Sequence, residues 1–163
     1  MPKLIIFDCD GTLREPIHNG RIPDDASFED TYELLPDVVS KLKTIDWSTT
    51  LAGIASNQES VASGLVSKQT ALRLLTDTLG EATGVNMPAR PWPIAMCPHS
   101  PKGGCICRKP SPFMLVYDML QCTEWGTPLN LSDVLFVGDQ PTDKEAARRA
   151  GIPFKSADEF FDR

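Results

Sequence analysis

Leu4-Ile5-Ile6-Phe7-Asp8-Cys9-Asp10-Gly11-Thr12 is the stretch on which the reading of this chain turns. A short apolar run closed by a polar turn predicts a buried strand. The run then delivers Asp8 and Asp10 to the carboxyl end of a sheet strand, where α/β folds place their chemistry. Asp and Gly are also ordinary turn residues, so the pair takes its meaning from the rest of the chain.

Further apolar runs end in polar signatures. Leu51 to Ala55 leads into Ser56-Asn57-Gln58, Val134 to Val137 leads into Gly138-Asp139, and Pro93 to Met96 runs into Cys97. Helical signals alternate with them. Pro36 suits the first turn of a helix with Val38, Val39 and Leu42 inward. From Ser67 to Leu79, Ala71, Leu72, Leu75 and Leu79 repeat at helical spacing, with Gly80 as a stop. Ser111-Pro112 opens a helix with Met114, Leu115, Tyr117, Asp118 and Leu120 in register. Thr142 with Glu145 predicts a capping box for a helix ending at Gly151, and Ser156 with Glu159 another. Residues 13–33 are polar and broken by Pro16, Gly20 and Pro23, which reads as a long excursion near the active face. The alternation predicts an α/β fold with a mainly parallel sheet flanked by helices. At 163 residues the chain holds one well-buried core, so a single domain over 1–163 is expected.

A net charge of −6 with a pI near 4.9 leaves no basic surface for counterion release, which disfavours bulk nucleic-acid binding. Small anionic substrates stay compatible, because local cations or a metal override the global sign. The N-terminal apolar run is too short for a signal-peptide core and is broken by Asp8, and no stretch approaches a membrane span. A soluble, cytoplasmic monomer is expected.

Asp8-x-Asp10-Gly11-Thr12 after an N-terminal strand resembles the first motif of the haloacid dehalogenase (HAD) superfamily of phosphohydrolases. Ser56-Asn57 resembles its second motif, Lys109 in Cys107-Arg108-Lys109-Pro110 its third, and Gly138-Asp139 through Asp143 its fourth. The resemblance implies a Rossmann-like fold and a Mg²⁺-dependent phosphomonoesterase. In that scheme Asp8 is the nucleophile that forms an aspartyl-phosphate and Asp10 the general acid and base. Ser56 and Asn57 bind phosphoryl oxygens, and Lys109 neutralises carboxylate and phosphate. The Asp8 carboxylate, the Asp10 backbone carbonyl and the Asp139 carboxylate hold Mg²⁺. Plainer roles stay open for two of these segments: Ser56-Asn57 as a helix cap, and Asp143 as charge compensation at a helix start.

Of five cysteines, Cys97, Cys105 and Cys107 cluster with His99, one of two histidines, as C-x-H-x5-C-x-C. This is a sufficient ligand set for a tetrahedral structural Zn²⁺ in a loop over 97–107. Without a secretory signal, metal ligation is favoured over disulfides; a reduced loop or a redox pair is the alternative. Cys9 and Cys122 are expected as unliganded thiols. The combined pattern resembles, more narrowly, the HAD subgroup of histidinol-phosphate and heptose 1,7-bisphosphate phosphatases. That likeness implies that Arg108 reaches toward a small phosphorylated substrate. Two positions depart from it, with Cys9 where relatives often have arginine and Ser56 in place of threonine. The gaps between motifs leave no room for a cap domain, so specificity would rest on the 13–33 excursion and the zinc loop. Competing readings are a polynucleotide 3′-phosphatase, a catalytically silent zinc-stabilised binding module and, more weakly, a protein phosphatase.

Overall fold

The computed structural model describes residues 1–163. The N-terminal apolar run forms β1 (Leu4–Phe7), followed by β2 (Arg14–Pro16), β3 (Tyr32–Leu34), α1 (Val38–Leu42), β4 (Leu51–Asn57) and α2 (Glu59–Ala62). Then come α3 (Lys68–Thr83), β5 (Ile94–Cys97), α4 (Phe113–Glu124), β6 (Val134–Gly138), α5 (Pro141–Ala150), β7 (Phe154–Ser156) and α6 (Ala157–Phe161). Five strands make one parallel sheet in the order β5-β4-β1-β6-β7, with β1 at its centre. β2 and β3 pair antiparallel as a separate hairpin.

Side chains along β1 alternate between two cores, as the two-residue period of a strand requires. Ile5, Phe7 and Cys9 face one side, where Val38, Leu42, Leu75, Leu79, Phe160 and Phe161 bring α1, α3 and α6 onto the sheet. Leu4 and Ile6 face the other, against Met114, Leu115 and Cys122 of α4 and Ala146 and Ala147 of α5. Burying each large apolar side chain of this kind contributes about 1.5–3 kcal/mol, so both helical layers are firmly held.

Several elements differ in detail from the expectation. The helix begun at Ser67, whose hydroxyl accepts from the Thr70 N–H, runs through Gly80 to Thr83. Buried Leu79, Ala82 and Thr83 hold its last turn against the sheet, and Gly84, at φ 72°, ends it in the left-handed region open to glycine. On α4 the inward positions are Met114, Leu115, Asp118 and Cys122, whereas Tyr117 and Leu120 are exposed. α5 starts earlier than Thr142. Gln140 is its N-cap, Pro141 occupies the first turn, and Asp143 rather than Glu145 accepts the Gln140 N–H at 2.9 Å. The excursion after the first motif contains the β2–β3 hairpin, packed through Tyr32 and Phe28 onto Leu74 of α3.

The register of the sheet prepares the site. Phe7 stands opposite Ile54 on one side and Val137 on the other, and Asn57 opposite Cys97. The residues that follow Phe7, Ile54 and Val137 therefore emerge side by side, and the cysteine loop begins at the same edge.

Candidate active site

Asp8 leaves β1 with its N–H bonded to the Val137 carbonyl at 2.8 Å, which fixes the start of the first motif to β6. Its carboxyl is buried, and Oδ1 accepts from Lys109 Nζ at 2.6 Å. The same ammonium meets Asp143 Oδ1 at 2.6 Å and donates to the Ala55 carbonyl at 2.8 Å. All three donors of the lysine are thus used inside the protein. Burial works against the Lys109 charge, and the two carboxylates outweigh it, so its pKa is raised.

Asp139 completes the group. Oxygens of Asp8, Asp139 and Asp143 lie within 4.8 Å of one another. Thr12 Oγ1 donates to Asp139 Oδ1 at 2.9 Å and Gln140 Nε2 donates to Oδ2 at 2.7 Å. Both glycines beside these acids are required by space. A Cβ on Gly11, which is at φ 86°, would lie 2.5 Å from an Asp139 oxygen, and one on Gly138 would lie 2.5 Å from an Asp143 oxygen.

Three carboxylates against one ammonium leave a negative excess at the floor of the cleft, with Asp8 and Asp143 buried and Asp139 exposed. Burial pushes the Asp8 carboxyl up to about 7; Asp143 and Asp139 add to the rise and Lys109 opposes it. A cluster of hard oxygen donors with unbalanced charge fits a divalent cation such as Mg²⁺, and this donor set passes that test.

Asp10 points elsewhere. Its Oδ1 accepts from Arg14 Nε at 2.8 Å and its Oδ2 from Gln58 Nε2 at 2.6 Å. Gln58 Nε2 also donates to the buried Ser56 Oγ at 2.8 Å, which leaves the serine hydroxyl hydrogen free for another acceptor. The Asn57 side chain is occupied differently from the phosphate contact expected of it. Its Oδ1 accepts the Lys109 N–H at 3.0 Å and its Nδ2 donates to the Lys109 carbonyl at 3.4 Å, so it clamps the peptide that carries the lysine. Arg108 pairs with Glu59 at 3.4 Å through Nη2, while its Nη1 is buried without a partner. Asp8, Asp10, Ser56, Lys109 and Arg108 all border an open cleft of about 720 Å³, whose other wall is the hairpin side, with Pro16, His18 and Tyr32.

The cysteine loop gathers beside this cleft. Cys97 Sγ lies 3.5 Å from His99 Nδ1 and 3.6 Å from Cys105 Sγ, and Cys107 Sγ lies 3.2 Å from both Cys97 Sγ and His99 Nδ1. Ligands about 2.3 Å from a shared tetrahedral centre lie roughly 3.8 Å apart, close to these spacings. The Arg108 N–H lowers the Cys105 thiol to about 6, which favours a thiolate ligand. The four side chains fit Zn²⁺. Cys9 and Cys122 are buried free thiols in the two cores.

The sequence reading missed Arg14 and Gln58, the two residues that hold Asp10. Arg14 lies in a segment that looks solvated, and its only signal is the four-residue spacing from Asp10. Asp143 entered the sequence reading as part of the fourth motif, and the structure adds its shared bond to Lys109.

A family profile described as polynucleotide kinase 3 phosphatase matches residues 3–161. The chain belongs to that family. The D-glycero-beta-D-manno-heptose-1,7-bisphosphate 7-phosphatase of Bordetella bronchiseptica is 34% identical over 155 residues, covering 91% of this chain and 76% of that protein. The Pseudomonas putida enzyme of the same name is 31% identical over 160 residues, covering 91% of this chain and 78% of that protein. A solved structure of D,D-heptose 1,7-bisphosphate phosphatase from B. bronchiseptica, complexed with magnesium and phosphate, superposes with a TM-score of 0.67 at 28% identity, over 93% of this chain and 78% of that one. This polynucleotide kinase 3 phosphatase family member is an HAD-type phosphatase, a phosphoric monoester hydrolase. No helix is long and apolar enough to cross a membrane.

Proposed function

We propose that this phosphatase hydrolyses a small phosphorylated metabolite, of the sugar-phosphate, sugar-bisphosphate or histidinol-phosphate type, through an aspartyl-phosphate on Asp8. The observation that carries the reading is the Asp8 carboxyl at the end of the central strand, bonded to Lys109 at 2.6 Å and grouped with Asp139 and Asp143. The names of the Bordetella and Pseudomonas relatives support the substrate class.

Asp8 attacks phosphorus, forming a P–O bond as the bond to the leaving alkoxide breaks. Asp10 gives that alkoxide its proton, then takes one from the water that attacks the aspartyl-phosphate and frees Asp8. Lys109 offsets the charge of Asp8 throughout, and Asn57 holds the peptide that carries Lys109. Ser56 donates its free hydroxyl hydrogen to a phosphoryl oxygen, and Arg108, which borders the cleft, reaches toward the substrate. Asp8, Asp139 and the Asp10 backbone carbonyl would hold Mg²⁺, which when bound screens the phosphate dianion from the approaching carboxylate. Cys97, His99, Cys105 and Cys107 would hold Zn²⁺ as a structural cross-link of the 97–107 loop. The chain works as a single, uncapped, monomeric cytoplasmic domain over 1–163, open enough for a bulky metabolite.

The test is turnover of a panel containing heptose 1,7-bisphosphate, histidinol phosphate, p-nitrophenyl phosphate and a 3′-phosphorylated oligonucleotide, with and without Mg²⁺. Mg²⁺-dependent activity, strongest on a small metabolite, is expected. Strong preference for the oligonucleotide would overturn the substrate class, and no turnover of any member would overturn the enzyme reading.

A further inference from the structure

We propose that Arg14 is a positioning residue for Asp10, and that it makes the β2–β3 hairpin part of the mounting that aims this carboxyl. The proposal rests on the reading of Asp10 as the group that protonates the leaving oxygen.

Arg14 is the largest fully buried side chain of the protein, at 1% exposure, although it opens a two-stranded hairpin in a polar segment. Its guanidinium is fixed on three sides. Nε donates to Asp10 Oδ1 at 2.8 Å, Nη1 donates to the Leu74 carbonyl at 3.2 Å and to Thr78 Oγ1 at 2.8 Å, and Cζ lies 3.4 Å from the centre of the Tyr32 ring. Helix α3, strand β3 and the first motif therefore meet at one planar group. Gln58 takes the other Asp10 oxygen at 2.6 Å, so the carboxyl plane is set by two donors from different elements.

The position is an expensive one for a guanidinium. Burying a charge is costly unless it is paired and hydrogen-bonded, and here its one ionic partner is Asp10, whose side chain is 39% exposed. An apolar residue would fill the same space beneath Tyr32 at less cost. What it could not supply is the rigid fork of donors that ties Asp10 to α3, and a lysine could not supply it either. The arrangement trades stability for the orientation of one carboxyl that faces the cleft.

That orientation matters only where a proton is needed. An alkoxide leaving group requires protonation as it departs, whereas p-nitrophenolate leaves as a stable anion. Arg14 should therefore affect kcat/KM for an alkyl phosphate more than for p-nitrophenyl phosphate.

The experiment compares kcat/KM on a sugar phosphate and on p-nitrophenyl phosphate for the wild type, Arg14→Lys, Asp10→Asn and the double variant, with Mg²⁺ present and folding checked by thermal melting. Arg14→Lys keeps a buried cation and loses the fork. Expected is a further loss on the sugar phosphate of about 100-fold for Asp10→Asn and roughly 10-fold for Arg14→Lys, relative to the loss on p-nitrophenyl phosphate. In the Asp10→Asn background, Arg14→Lys should then change the ratio no further. Equal losses on the two substrates for Arg14→Lys, with selective loss for Asp10→Asn, would overturn the positioning role and leave the acid in place. Equal losses for Asp10→Asn itself would overturn the reading of Asp10. If Arg14→Lys melts before assay temperature, Gln58→Met replaces it, since the other oxygen of Asp10 should show the same selectivity; its absence there would likewise overturn the mounting.

Discussion

Two regions of the molecule hide carboxyl groups from water, and they do so in opposite ways. At the end of β1, Asp8 and Asp143 are buried at 7% and 1% exposure, and both meet the Lys109 ammonium at 2.6 Å. On the inward face of α4, Asp118 is at 0% exposure and neither of its oxygens has a hydrogen-bond partner. Its neighbours are Gly53, where a Cβ would come within 3.6 Å of an Asp118 oxygen, and the Cys122 thiol one turn on. Burial alone therefore does not distinguish a working acid from an idle one. What separates them is a cation and an approach from the cleft, and Asp118 has neither; burial pushes its pKa well above the usual carboxylate range.

The largest expected effect comes from destroying the difference at the first region. Lys109→Met leaves Asp8 and Asp143 buried without their counter-charge. Turnover should fall about 10³-fold and unfolding free energy by about 3 kcal/mol; phosphate-release kinetics and urea melts check both. Unchanged stability would mean that the acids do not need the lysine. Next in size is the cysteine loop, which begins at the same sheet edge. Cys97→Ser should lower bound zinc from near one per chain and reduce the thermal midpoint by on the order of 10 °C. Metal analysis and calorimetry on the same preparation provide the check, and no zinc in freshly reduced wild type would remove the metal.

Asp118 supplies a smaller effect with a definite sign. Its folded pKa is raised, so the stability it contributes is complete below the unfolded value of about 3.9 and is lost as pH rises through the folded pKa. Asp118→Asn cannot ionise. The variant should be more stable than the wild type at pH 8 and draw level toward pH 4. Urea midpoints at the two pH values measure this, and parallel curves would show that Asp118 is solvated or paired. The smallest effect is assigned to Cys9, which sits between the two acids of the motif and faces the core with Phe7 and Leu13. Cys9→Ala should cost about 1 kcal/mol of stability and leave kcat unchanged.

Much of this comparison could be read from residue order, because apolar runs ended by Asp8, Ser56 and Asp139 have only one place to go in a parallel sheet. The register of β1 with β4 and β6 then brings those ends together without further information. Arg14 could not be read that way. A charged residue among Pro16, Gly20 and Pro23 looks solvated, and its burial depends on Tyr32 and on the Leu74 carbonyl and Thr78 hydroxyl of α3, some sixty positions away. Asn57 is a similar case: its position at the end of β4 was readable, but its bonds to the Lys109 peptide depend on how the third motif loops back. Gly80 did not stop α3, since burial of Ala82 and Thr83 outweighs the roughly 1 kcal/mol a helical glycine costs. Pro141 moved the start of α5 to Gln140 because a proline at the first helical position needs no N–H partner.

The central claim is that Asp8 carries the phosphoryl group between substrate and water. Rapid acid quench of the Mg²⁺-loaded enzyme with phosphorus-labelled substrate, followed by peptide mapping, tests it most directly. The account expects a hydroxylamine-sensitive label on the peptide containing Asp8, absent from an inactive Asp8→Asn variant. Full turnover by Asp8→Asn, or label on a different residue, would contradict it.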